Sequence, residues 1–567
     1  MSIIQLKEAD CRNCYKCIRS CPVKSITFHD DQARILEDEC VLCGKCTLIC
    51  PQNAKQIASD LDSVRAMLER RERVVVSLAP SFIAAFPGCT FEQVSGALLR
   101  LGFAAVEETA IGATRVSEAY AGILQNHTQD NLITTCCPTV VLLVQKYFPE
   151  LLPQLAHVAS PAVAHAKLLR EAYGKDAKVC FIGPCISKKQ EARDSGEIDA
   201  VLMFGELNDW FRREGIDVEH QSAKDARPMR HTISRLYPVP GGIIKTIPPE
   251  QRTGYTAIAI DGLDRCIRVL QDIRDSHISG YLLELSSCVD SCVGGPAMHE
   301  YDRAPSFLLS KEAVYGFSRR EEAGAQPQSE PLHVPMGAEY PSLHSEEPMP
   351  TEEEIAAILR SIGKVSPSDM LNCGGCGYDT CREKAIAVYR GKANVRMCLP
   401  YMRQRAESTA NTILDNTPNA LISLDHELRI LDFNPSAVRL FNLNHDCIGM
   451  EASLFLNMDK LSTILETGEN VMNERCRTAI YDLMVEQSII SMPNHEYLVI
   501  VKDISVEEES LQAMEKMRRE TLETAQAVID KQMRVAQEIA SLLGETTGET
   551  KAALLHLKAS LNGGERL

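Results

Sequence analysis

Apolar positions along this chain change their period several times, and each change marks a new segment. The run RVVVSLAPS (73–81) is apolar without alternation and predicts a strand buried on both faces. Residues 91–101 place Phe91, Val94, Leu98 and Leu101 on one helical face, and Gly102 follows as a stop signal. Lys178 to Ile182 and Ala257 to Ile260 predict further buried strands, so strands alternating with helices give this region an α/β core. A charged helical connection, Leu61 to Arg73, precedes it. Much later, ALISLD (420–425) and RILDFN (429–434) read as two strands around a turn, followed by a short helix and a terminal strand ending in Asp503, Ile504 and Ser505. Residues 506–560 then run almost without proline or glycine until Gly544. Met514, Met517, Leu522, Ala525, Ile529, Ala536, Ile539 and Leu543 recur there at spacings of mostly three and four, which predicts an amphipathic helix suited to a dimeric coiled coil.

Size and charge narrow the reading. The 567 residues, 45% hydrophobic and 24% charged, suit roughly three to five globular domains. A net charge of -17 would repel nucleic acid and anionic membrane, so neither is expected as a partner. The opening MSIIQLKEADC lacks the basic region and apolar run of a signal peptide, and no segment is apolar for long enough to span a bilayer. The expected location is therefore the cytoplasm, where thiols stay reduced, and the 22 cysteines read as metal ligands and not as a disulfide framework.

Two runs near the start share the spacing CxxCxxCxxxCP: Cys11, Cys14, Cys17 and Cys21, then Cys40, Cys43, Cys46 and Cys50. A zinc ribbon uses paired CxxC units and has no such triplet. Residues 1–60 resemble the two-cluster bacterial ferredoxins, and the resemblance implies two [4Fe-4S] clusters with crossed ligation, Cys21 joining the second trio and Cys50 the first. Short turns at Asn13 and Gly44 would let backbone amides face the sulfurs and tune the potential.

In the middle region, cysteines fall in three loops: TTCCP (134–138), GPCISKK (183–189) and ELSSCVDSCVGGP (284–296). The adjacent pair Cys136 and Cys137 could be a local disulfide, two inert core thiols, or one ligand beside a thiol with another task. With Cys185, Cys288 and Cys292 there are five thiols, while a cubane takes four. Three such loops in this order resemble the catalytic domain of [FeFe]-hydrogenases over roughly residues 74–300. The resemblance implies that Cys137, Cys185, Cys288 and Cys292 hold the [4Fe-4S] half of an H-cluster, with Cys292 bridging to a di-iron subcluster carrying CO, CN and a bridging dithiolate amine. It implies further that Cys136 is the free thiol that passes protons, and that Lys188 hydrogen-bonds a cyanide. Neighbouring side chains in an extended segment point to opposite sides, which suits two tasks for two adjacent cysteines. The alternative for Lys188 is an ordinary surface lysine, since Lys189 follows it.

Departures from that family qualify the activity. Gly183 and Ser286 stand where catalytic members have methionine, and Ser291 where they have glycine. The stretch EETAIGATRVSEAYAG (107–122) lacks the usual relay glutamates, leaving Glu118 as the relay member, with Glu107 and Glu108 ending a strand or capping a helix. A broken relay predicts weak turnover.

Residues 301–350, rich in proline, serine and glutamate, read as a linker with some packed pieces. Beyond it, LNCGGCGYDTCREKA and MCLPYM set Cys373, Cys376, Cys381 and Cys398 in a CxxCx4Cx16C spacing. This resembles the small [4Fe-4S] domain of electron-transport complexes and corrinoid proteins; zinc is the competing occupant. Cys89, Cys180, Cys266, Cys447 and Cys476 read as small core residues, and His426 and His445 as surface histidines. Residues from 411 on resemble a PAS domain. RVAQEIASLL resembles the phosphoacceptor helix of sensor kinases, but Gln537 stands in the histidine's place, so the chain is not itself a kinase.

Together these give a multidomain α/β and α+β chain: a ferredoxin-like two-cluster domain (1–60), an α/β H-cluster domain with its linker (74–345), a small iron-sulfur domain (350–405), a PAS domain (406–505) and a C-terminal helix or coiled coil (506–567). The order resembles the sensory class of [FeFe]-hydrogenases. That implies slow, reversible oxidation of H2 to protons, electron exchange with a redox partner such as ferredoxin, a kinase or phosphatase as signalling partner, and a homodimer formed through the PAS domain and C-terminal helix. The alternatives are an iron-sulfur electron-transfer or cluster-assembly protein without the di-iron unit, and an ordinary metabolic hydrogenase.

Overall fold

The computed structural model describes residues 2–7, 10–29, 32–126, 129–222, 233–298, 306–319, 334–345, 348–456, 469–478, 481–492 and 495–561. They form two compact units, 1–402 and 403–567. All three cysteine-rich regions share the first unit, although the sequence reads them as separate domains.

The N-terminal part of the first unit is built twice over. Strands Ile4–Leu6 and Lys55–Ile57 pair antiparallel, as do Ile26–His29 and Gln32–Ile35. Two five-residue helices, Lys16–Ser20 and Lys45–Ile49, lie between them, each entered through a left-handed residue, Tyr15 (φ 56°) and Gly44 (φ 72°).

The middle region holds two parallel sheets. The first orders its strands Ala105–Glu108, Val74–Leu78, Lys178–Gly183 and Ala200–Met203. Val74, Val75, Val76 and Leu78 are wholly buried, as a strand covered on both faces requires. Helix Leu61–Glu69 leads into this sheet. Helix Phe91–Arg100 starts at a capping box, Thr90 with Gln93, which satisfies amides at the open helix end. The second sheet orders Thr256–Asp261, Tyr281–Ser286 and the two-residue strand Leu132–Ile133.

Much of 301–350 lies outside the described residues. The rest is packed: helix Phe307–Arg319 buries Val314 and Phe317, and 334–345 is tied down by backbone hydrogen bonds from Ala159 to Met336 and from Leu343 to Gln145. The buried guanidinium of Arg235 holds this helix, lying 3.9 Å from the Phe317 ring centre while bonding the buried Glu108 carboxylate at 2.7 and 2.5 Å.

In the second unit, five antiparallel strands are ordered Ile430–Phe433, Ala420–Leu424, Glu496–Asp503, Met484–Met492 and Val471–Arg477. Ile422, Phe441, Ile489 and Val499 are among its core residues. Helix Ser505–Leu561 extends over 57 residues with its apolar positions, Leu522, Ile529 and Leu543 among them, exposed. Cys89, Cys180 and Cys266 are buried, but Cys447 and Cys476 are only half-buried, which corrects their reading as core residues. His426 and His445 are exposed. Among the described residues no helix is long and apolar enough to cross a membrane.

Candidate iron-sulfur and hydrogen site

The three cysteine loops of the middle region all leave the carboxyl ends of parallel strands, where open α/β sheets place their ligands. Leu132–Ile133 runs into Thr134, Thr135, Cys136 and Cys137; Lys178–Gly183 into Pro184 and Cys185; Tyr281–Ser286 into Ser287 and Cys288. Leu282 pairs with Leu132 and Leu283 with Ile133, which sets the first and third loops side by side. Cys137 caps helix Pro138–Tyr147, whose first-turn proline suits a donor-free position.

Four of the thiols form one electrostatic group. Desolvation raises Cys288 well above the ordinary thiol range, and Cys185, Cys137 and Cys292 add to the rise. Cys185 and Cys292 are raised in the same way, each with Cys137 as the next cause. Cys137 Sγ lies 3.6 Å from Ser287 Oγ, and Cys185 Sγ lies 3.1 Å from Ser187 Oγ. Thiols that desolvation and mutual repulsion keep from ionising alone become ligands only beside a strong positive centre, so this donor set fits an iron-sulfur cubane. Among the described residues no three His, Cys, Asp or Glu side chains converge on a single ion. A cubane carries its irons at separate corners and spreads its thiolates wider than one ion does.

Cys136 stands apart from this group. Its Sγ lies 3.3 Å from Tyr120 Oη, and burial pushes the thiol up to about 12, so it keeps its proton at neutral pH. Tyr120 Oη also accepts from the Thr135 amide at 3.0 Å. The sequence gave no warning of Tyr120, an aromatic residue on helix Ala110–Asn126 that looks like ordinary core. Glu118 on that helix is not brought to the site. It is exposed and pairs with Arg115 at 2.9 Å, because two residues along a helix turn its side chain about 200° from Tyr120. The expectation of a relay through Glu118 is therefore corrected.

Lys188 and Lys189 are both buried, which removes the surface reading. Lys188 Nζ donates to Ser160 Oγ at 2.7 Å and Glu191 Oε2 at 2.6 Å. Burial pulls its pKa down, but Glu191, together with the Cys185 and Cys136 sulfurs, outweighs this and holds the ammonium above its usual value. Lys189 Nζ donates to the Val201 carbonyl at 2.6 Å and faces Asp60 at 3.2 Å. Glu284, at the head of the third loop, is a buried carboxyl raised by burial to about 7, despite accepting from the Gly241 and Ile244 amides at 2.8 and 3.0 Å.

The departures have structural counterparts. A Cβ on Gly183 would meet the Phe181 ring at 2.7 Å, so that ring fills space beside the site. Ser286 Oγ and Ser291 Oγ lie 2.9 Å apart, and Ser291 is left-handed (φ 57°). Glu107 Oε1 accepts from Tyr173 at 2.7 Å, and Glu108 belongs to the Arg235 pair.

Three small cavities hold the remaining cysteine sets. One is lined by Cys11, Cys14, Cys17 and Cys50, a second by Cys21, Cys40, Cys43 and Cys46, and a third by Cys373, Cys376, Cys381 and Cys398. Amides reach the sulfurs from Leu42 to Cys40 at 3.4 Å and from Ala54 to Cys50 at 3.3 Å. Each set is four thiols with no histidine, a donor set that fits a cubane.

Residues 72–296 match the family described as iron only hydrogenase large subunit, C-terminal domain; residues 3–66 match a 4Fe-4S dicluster domain and residues 369–400 an Fe-S cluster domain. An NADP-reducing hydrogenase subunit of Solidesulfovibrio fructosivorans is 22% identical over 361 residues, 52% of this chain and 61% of its own length. Iron hydrogenase 1 of Clostridium pasteurianum is 28% identical over 226 residues, 34% of this chain and 39% of its own. The chain thus spans less than two thirds of these curated relatives. A solved [FeFe]-hydrogenase from Chlamydomonas reinhardtii superposes with a TM-score of 0.40 at 18% identity, covering 51% of this chain and 100% of that one. Over residues 72–296 the chain therefore belongs to the iron-only hydrogenase large-subunit family, with a 4Fe-4S dicluster domain before that region and a further iron-sulfur domain after it.

Proposed function

We propose that this protein is a hydrogen-responsive [FeFe]-hydrogenase of low turnover whose redox state is read by its C-terminal unit. The observation that carries the reading is the division of five thiols into a group of four and one apart. Cys137, Cys185, Cys288 and Cys292 would hold the cubane of an H-cluster, Cys292 also reaching its di-iron unit, which when bound supplies the metal chemistry that splits H2. Cys136, protonated and bonded to Tyr120, carries the proton away from the site. Lys188, fixed by Ser160 and Glu191, presents a buried cation to an anionic ligand. The sets Cys11, Cys14, Cys17 with Cys50, Cys40, Cys43, Cys46 with Cys21, and Cys373, Cys376, Cys381 with Cys398 would each hold a [4Fe-4S] cluster and pass electrons to a carrier such as ferredoxin.

The five-stranded sheet and 57-residue exposed helix of the second unit support the sensory part, since a PAS domain and a helical output arm have this form. The exposed apolar positions of the helix suit a homodimer, and a kinase or phosphatase would receive the signal. Its test is deuterium uptake by residues 403–561 of matured protein under hydrogen and under argon. The expected result is altered protection in the strands or helix under hydrogen; identical uptake would remove the sensory role.

A second reading, an electron-transfer or cluster-assembly protein without the di-iron unit, is favoured by the Phe181 ring beside Gly183, which fills space near the site.

A further inference from the structure

We propose that the five-residue helix Lys16–Ser20 is a redox junction, through which the Cys373, Cys376, Cys381, Cys398 site exchanges electrons directly with the dicluster domain. The inference rests on the reading that these sets hold cubanes.

The helix joins two cavities. Cys17, within it, lines the cavity of Cys11, Cys14 and Cys50, while Cys21, immediately after it, lines that of Cys40, Cys43 and Cys46. The third site docks on the helix between them. Gly377, next to Cys376, has φ 94°, and a Cβ there would come 3.1 Å from Arg19 Cα and 3.2 Å from Arg19 N. Any side chain would be strained in this backbone and pressed against another backbone, so the seam admits glycine alone.

Tyr378 closes the seam. It lines the third cavity and is 5% exposed, yet it packs in one core with Cys17, Ile18 and Cys21. Its buried hydroxyl has no hydrogen-bond partner, and its nearest charges are Cys376, Glu39 and Cys21, so one ring touches the surroundings of two sites. Ala387 and Met397 join that core, and Lys392 Nζ meets Glu39 at 2.9 Å. Such an interface holds the small domain fixed on the dicluster domain, unlike one on a free linker.

A second glycine seam leads to the hydrogen site. Gly44, beside Cys43, has φ 72°, and a Cβ there would meet Ile186 Cδ1 and Pro296 Cγ, both at 2.6 Å; Ile186 follows Cys185. The resulting wire enters the dicluster domain at Cys43 and branches at the Cys17 to Cys21 helix. Each step moves one electron, the donor site oxidised by one and the acceptor reduced by one, with no bond made or broken. The protein's part is to hold the sites in direct packing, since electron transfer weakens steeply with separation.

The full chain, loaded anaerobically with iron and sulfide and reduced with dithionite, tests this by electron paramagnetic resonance. The expected wild-type dicluster signals are broadened and fast-relaxing through a neighbouring spin. The double variant Cys373→Ala, Cys376→Ala, short of about four irons, should narrow and slow them. Gly377→Val, retaining full iron content, should show the same narrowing because the seam is forced apart. Dicluster signals of equal width and relaxation in wild type and double variant would overturn the junction. A wild type that lacks the third cubane by iron content and signal would overturn the cluster assignment and the junction with it. Neither result depends on a di-iron unit, so failure here is distinct from failure of the hydrogenase reading.

Discussion

Cys136→Ala is expected to lower hydrogen turnover by about a hundredfold or more, the usual worth of a positioned acid-base group. The four thiols proposed as ligands are untouched, so iron content should stay at the parent value. The argument is local. Cys136 carries its proton because burial pushes it up to about 12, and its one close side-chain partner of known distance is Tyr120 at 3.3 Å. Glu118→Gln, on the exposed side of the same helix, should leave turnover within about twofold, since surface substitutions away from a site change little. Exchange of hydrogen with deuterium from solvent measures all three proteins. A Cys136→Ala protein as active as its parent would remove the thiol from the proton path.

Arg235→Leu is expected to cost about 3–5 kcal/mol of stability, as removing one partner of a buried ion pair does. Arg235 and Glu108 are both fully buried, and the substitution strips the carboxylate of its bidentate guanidinium. It also frees helix Phe307–Arg319, whose Phe317 carbonyl accepts from Arg235 at 3.3 Å. The chain's single tryptophan, Trp210, is buried in the same hydrophobic core as Phe317, so its fluorescence in a urea titration reads the loss directly. An unchanged midpoint would mean that the pair contributes no net stability.

What the sequence made legible follows from which signals are local. Val74–Leu78 was readable because a strand covered on both faces is a continuous apolar run, and Phe91–Arg100 because its period and stop residue lie within a dozen positions. The cysteine sets were readable because ligand spacing is itself local. Leu132–Ile133 was not, since two residues carry no period, and with it the division into two sheets was hidden. The run SKKQEARDS looks like a surface helix, yet Lys188 and Lys189 are buried because Ser160, Asp60 and Val201, distant in sequence, supply their partners. Tyr120 was missed for the same reason: its contact with Cys136 crosses from a helix to a loop. Glu118 was chosen for its carboxyl alone, and helical geometry turned it outward.

The most direct test of the central claim is an infrared spectrum of anaerobically matured protein, recorded across the CO and CN stretching region under hydrogen and then under argon. The account predicts iron-bound CO and CN bands that shift between the two gases, with the Cys137, Cys185, Cys288 and Cys292 site as their anchor. Matured protein with its full complement of cubane iron and no such bands would contradict it.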